Sequence, residues 1–197
     1  MNRIVVGLVA TLFVGCQATE EPMQNSPETD AILDRFGARL RFGDTFETAA
    51  ARGHVVDSHI DESGSTLLLA LPGATHGFSM IQLVGTPSSS RDPASVQIFE
   101  IVLLSESGAA DRSMKEAKAV ALQVFDRPGV QGCIHYIRKE SRDVTVWGTE
   151  ASGAIAVMAP RDPDFSADDA TTSLIVFPRG QKLKRAFPEF RTTDCGN

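Results

Sequence analysis

The densest group of chemically useful side chains in this sequence is His54, Asp57, His59, Asp61 and Glu62. On an extended strand successive side chains alternate, so Asp57, His59 and Asp61 would share one face. Imidazoles beside carboxylates suit zinc or manganese. The metal set this suggests is His54, Asp57, His59 and Asp61, and the matching activity is metal-dependent hydrolysis. The same stretch runs into Ser63-Gly64-Ser65 and reads equally as the polar, solvated end of a hairpin. Cys133-Ile134-His135 puts a thiol and an imidazole on one strand face, a nucleophile-and-base pair with no third group to orient it. Asp162 to Asp169 opens like a calcium loop. However, Ala167 and Ser173 stand where that loop needs glycine and a bidentate acid, so the segment reads as an acidic loop. No serine-nucleophile signature, phosphate loop or dinucleotide fingerprint occurs. The chemistry therefore leans away from an enzyme, and no cofactor is expected.

The N-terminus carries a different signal. Arg3 is followed by an almost unbroken apolar run, Ile4 to Val14, and Gly15-Cys16 closes it. The run is too short to span a bilayer, which takes about 20 residues, but suits a signal core. Residues 1–15 resemble the signal peptide of a bacterial lipoprotein. That resemblance implies cleavage before Cys16 and acylation of its sulfur, and with Gln17 next, sorting to the outer membrane, facing the periplasm. Two or more acyl chains would hold the protein stably on the bilayer without a transmembrane helix. Residues 16–30 then form a lipidated cysteine and polar tether, with Glu20, Glu21, Pro22, Asn25, Ser26 and Pro27.

Residues 31–197 are enough for one well-buried domain, with possible halves 31–110 and 111–197. The formal charge is −6, and loss of Arg3 with the leader makes it −7. An acidic surface repels phosphate backbones, so nucleic acid is not an expected partner. Arg179, Lys182, Lys184 and Arg185 form one local basic cluster, a solvated turn or a contact for lipid heads or an acidic partner. With Cys16 lipidated, Cys133 and Cys195 remain and would pair outside the cytoplasm. Closing a loop of roughly 60 residues would stabilise the fold by about 4 kcal/mol.

The elements that must hold these residues follow from local signals. Ser26-Pro27-Glu28 starts a helix whose stripe is Ile32, Leu33, Phe36 and Leu40, with Gly37 as its stop or bend. Asp44-Thr45-Phe46-Glu47 resembles a capping box for a short helix ending at Gly53. Strands are expected at Thr66–Leu71, Phe78–Val84 and Val96–Leu104, with Pro72-Gly73 as a turn. Val96–Leu104 is apolar on both faces apart from Gln97 and Glu100, which places it mid-sheet. Ser113-Met114-Lys115-Glu116 reads as a capping box for a helix carrying Met114, Ala117, Val120, Ala121, Val124 and Phe125. Four further strands are expected at Cys133–Arg138, Val144–Gly148, Ala154–Ala159 and Ser173–Phe177.

Short connections favour antiparallel pairing, hence an α+β fold with antiparallel sheet packed against a few helices. The order suggests two tandem helix-plus-meander halves. It resembles the tandem helix-plus-sheet domains of β-lactamase inhibitor proteins and small outer-membrane assembly lipoproteins, through element order and Arg41-Phe42-Gly43-Asp44 before a short helix. Trp147 is the only tryptophan. Alternation puts it with Asp143 and Thr145, as a partner-binding aromatic or beneath a second layer. The expected role is a membrane-anchored, non-catalytic binding or accessory module for an envelope protein or cell-wall component. The alternatives are the metal-dependent periplasmic hydrolase above and an inhibitor or immunity protein for a secreted enzyme.

Overall fold

The computed structural model describes residues 24–62, 64–86, 88–89, 91–106, 108–135, 141–158, 171–181 and 190–192, with backbone alone at 72–75, 135, 141 and 142. Helix α1 (Pro27–Arg35) starts as its local chemistry dictates. The Ser26 hydroxyl accepts from the Thr29 N–H at 3.1 Å, the Thr29 hydroxyl accepts from the Ser26 N–H at 3.2 Å, and Pro27 occupies the first turn. The helix ends at Gly37, whose φ of 73° permits the Ala38 N–H to bond the Leu33 carbonyl at 2.9 Å. Helix α2 (Phe46–Arg52) is capped by Thr45, one residue later than the Asp44 cap expected. Asp44 instead accepts from the Arg41 N–H and the Arg52 guanidinium.

Among the described residues nine strands form one antiparallel sheet: β1 (His54–Ile60), β2 (Ser65–Thr75), β3 (Phe78–Gly85), β4 (Ile98–Ser105), β5 (Val130–His135), β6 (Ser141–Thr149), β7 (Gly153–Met158), β8 (Ser173–Phe177) and β9 (Phe190–Arg191). Their order across the sheet is β1-β2-β3-β4-β8-β7-β6-β5-β9. Two meanders thus run inward from opposite edges and meet at β4 and β8, where Ile101 lies opposite Val176 and Leu103 opposite Leu174. Helix α3 (Ala110–Phe125) connects them. The fold is mostly sheet with three helices, in line with the antiparallel α+β class expected.

All three helices cover one face. Ile32, Leu33, Phe36, Phe46, Ala49, Ala117 and Ala121 join Leu67, Leu83, Ile101, Leu103, Ile155, Leu174 and Val176 in a single buried core. The opposite face is closed over the second meander, where Val144, Ala156, Met158, Ile175 and Phe177 are buried. Burial on both sides explains why β7 and β8 read as continuous apolar runs.

Three sequence expectations need correction. Pro72-Gly73 is not a turn; both residues lie inside β2, where its ladder to β3 is interrupted between Ala70 and Thr75. β1 reaches only to Ala70, so the missing N–H of proline breaks no regular pairing there. The turn is His76-Gly77, with φ of 57° and 82°, the positive pair a tight hairpin demands. Ser113 is not a cap either. The α3 helix begins four residues earlier, with Ala109 at its cap and no side-chain cap bond. Ser113 is fully buried against Gly77, where an added Cβ would stand 2.4 Å from its hydroxyl. The start of α3 is held from outside instead: the Thr172 hydroxyl donates to the Ala110 carbonyl at 2.8 Å. Finally, the polar stretch at 54–60 is a full strand, so the first meander has four strands rather than three.

Candidate functional site

The His/Asp cluster lies on β1, at the edge of the sheet. Register places Asp57 opposite Leu68 and His59 opposite Thr66, on the helix-free face. The bulge at Val56 sets His54 opposite Ala70, so His54 lies on that same face, at its far end. His59 Nε2 meets Asp61 Oδ2 at 2.6 Å, while Asp57 turns back to accept from the Ser58 N–H at 2.8 Å. Among the described residues no three His, Cys, Asp or Glu side chains gather around a metal-sized space. The proposed ligand set His54, Asp57, His59 and Asp61 therefore reduces to one histidine–aspartate pair on an exposed edge.

The other sequence candidates divide in the same way. Cys133 is fully buried and disulfide-bonded, so it is not a free nucleophile; Cys195 lies outside the described residues. Cys16, the acidic segment from Asp162 to Asp169, and Lys182, Lys184 and Arg185 also lie outside them. Trp147 is only 5 % exposed and belongs to the helix-side core, where Gly129 gives its ring room. An added Cβ at Gly129 would come within 2.6 Å of the indole. The aromatic on the polar face is thus covered by a second layer and offers no open surface. Arg41-Phe42-Gly43-Asp44 is a structural clip. Arg41 pairs with Asp30 at 3.2 Å and Asp34 at 2.8 Å, Phe42 exchanges both backbone bonds with Asn25, and Gly43 donates to the Ile98 carbonyl.

One arrangement was not singled out from the sequence. Over β1–β4 the helix-free face carries Thr66 and Leu68, Met80, Gln82 and Val84, then Glu100 and Leu104, all half-buried. Glu100 sits opposite Val84. Burial alone holds its carboxyl above the ordinary glutamate value, and among the described residues no hydrogen bond or neighbouring charge offsets it. An uncompensated carboxylate among apolar side chains costs stability. Its sequence signal was its position as a charged interruption in the most apolar strand. Over β2–β4 this face is mainly apolar, with Glu100, Gln82 and Thr66 as its polar groups, and β1 adds His54, Asp57 and His59 at the edge.

The chain matches no family model, no curated protein and no solved structure.

Proposed function

We propose that the chain is a lipid-anchored envelope protein with a non-catalytic binding role. In this reading acylated Cys16 holds it to the outer membrane, residues 17–23 act as a spacer, shorter than the 16–30 tether expected because Gln24 to Asp30 belong to the folded body, and the helix-free face of β1–β4 meets a partner protein or cell-wall component. The observation that carries the binding surface is Glu100. A carboxylate kept partly desolvated without a partner costs stability, and such a cost is characteristic of functional surfaces. The surrounding Leu68, Met80, Val84 and Leu104 supply apolar area, and Glu100 with Gln82 would supply direction.

The two meanders are read as tandem halves, near 31–110 and 111–197, that share one sheet at the β4–β8 seam. Cys195 is assigned as the disulfide partner of Cys133. Arg191 stands opposite Cys133, and four further residues reach position 195.

The test is affinity capture from detergent-solubilised envelopes with wild type, Glu100→Gln and Met80→Lys. Both variants should fold and both should lose the captured species. Undiminished capture by both would overturn the assignment of this face. If the captured species is a secreted enzyme and is silenced by the chain, the role is inhibition. Cys16→Ser should move the protein from the membrane fraction to the periplasmic one; retention in the membrane would remove the anchor.

A further inference from the structure

We propose that β1 is a self-pairing edge through which two copies of this chain join their sheets. Among the described residues no strand lies beyond β1. His54 to His59 are all exposed, with Val55 and Val56 at 39 % and 51 %. Edges that must stay single are guarded by charged side chains, above all Lys, by Pro or by bulges; the strand, His-Val-Val-Asp-Ser-His-Ile, has no Lys or Pro, and Asp57 is its one acid. Its one irregularity is the bulge at Val56, which leaves Asp57 to Ile60 in regular ladder with β2.

The strand is complementary to itself read backwards. Laid antiparallel on a second copy with Ser58 facing Ser58, it sets Asp57 opposite the second copy's His59, and His59 opposite the second copy's Asp57. Opposite-charge cross-strand pairs favour pairing. Shifting the centre to Asp57 puts two aspartates face to face; shifting it to His59 puts two histidines face to face and Asp57 against Asp61. Of these three registers, the Ser58-centred one alone sets acid against base, and it does so wholly within β1. Within each copy His59 Nε2 already meets Asp61, so Nδ1 is the ring nitrogen left for the second copy's Asp57. The contact is isologous, as closed twofold dimers require. In this register directly opposed side chains share a face, so the two sheets run on as one, with all helices on the same side. The pairing leaves Glu100 and its surroundings uncovered and does not depend on the binding reading above.

Sedimentation velocity of the chain as the cell makes it, over a concentration series, should show a monomer–dimer equilibrium. Asp57→Lys and His59→Glu should each weaken dimerisation roughly tenfold, and the double variant, which restores opposite charges in the same register, should recover it. Ser58→Cys should give a disulfide-linked dimer on mild oxidation. A wild-type chain that stays monomeric throughout, single and double variants that behave alike, or a Ser58→Cys dimer that forms no intermolecular crosslink would each overturn the proposal. All substitutions sit on an exposed edge, so unchanged circular dichroism should accompany each of them.

Discussion

At the scale of single residues, Glu100 offers the sharpest test. Its folded-state pKa is raised by burial, so the folded chain holds the proton more tightly than the unfolded chain does. The stability this contributes is fully present below the ordinary value near 4.5 and is lost as pH rises through the raised one. Glu100→Gln removes that loss. Its melting temperature should exceed wild type at pH 7 and converge with it below about pH 4. A variant less stable than wild type at pH 7 would mean that an interaction, rather than bare burial, holds the carboxylate. Gly77 is the second position where one atom decides. Its φ of 82° and the Ser113 hydroxyl beneath it leave no space for a Cβ. Gly77→Ala should cost about 1–3 kcal/mol in chemical denaturation, combining the left-handed backbone with a steric contact. Relief by the further change Ser113→Gly would show that the contact is part of the cost.

Elements show where local signals decide structure and where distant packing overrides them. The start of α1 was legible because hydroxyl, proline and a positive-φ glycine all act within about a dozen residues, and β8 matched its expected bounds because it is apolar on both faces. Ser26→Ala should therefore cost about 1 kcal/mol, read from denaturant midpoints, since the cap bond from the Thr29 N–H goes with the hydroxyl. The start of α3 was not legible. Ser113 carries the signature of a cap, but it is buried inside a helix that already starts at Ala110, whose first turn is tied to Thr172, distant in sequence. Pro72-Gly73 misled for a related reason: a turn signal was tolerated in a strand where the ladder is interrupted. The candidate site was half legible. The polar β1 cluster stood out by composition, yet, spread along one extended edge strand, its side chains do not converge on one point among the described residues. Glu100 is a single residue whose meaning depends on the face it shares with β2 and β3, which no local window contains.

For the whole molecule, the question is whether the halves fold as one. The two meanders share only the β4–β8 seam within the sheet, but Leu103, Leu174, Ile101 and Val176 there are all fully buried beneath the helices. Helices α1 and α3 also meet over the sheet in the same core. A seam of this kind should transmit unfolding across the molecule. Trp147, the sole tryptophan, lies on β6 and reports from the second meander's side of the shared core, whereas far-ultraviolet circular dichroism reports the whole chain. Leu83, fully buried on β3, lies in the first meander. Leu83→Ala should destabilise by about 2–5 kcal/mol. If the chain is one cooperative unit, Trp147 fluorescence and circular dichroism will move together, to the same lowered midpoint. A Trp147 transition left at the wild-type midpoint, beside a shifted circular-dichroism curve, would mean that the second half keeps its structure when the first has lost it. The sheet would then be two folding units sharing a seam, and 31–110 and 111–197 would be domains in the thermodynamic sense.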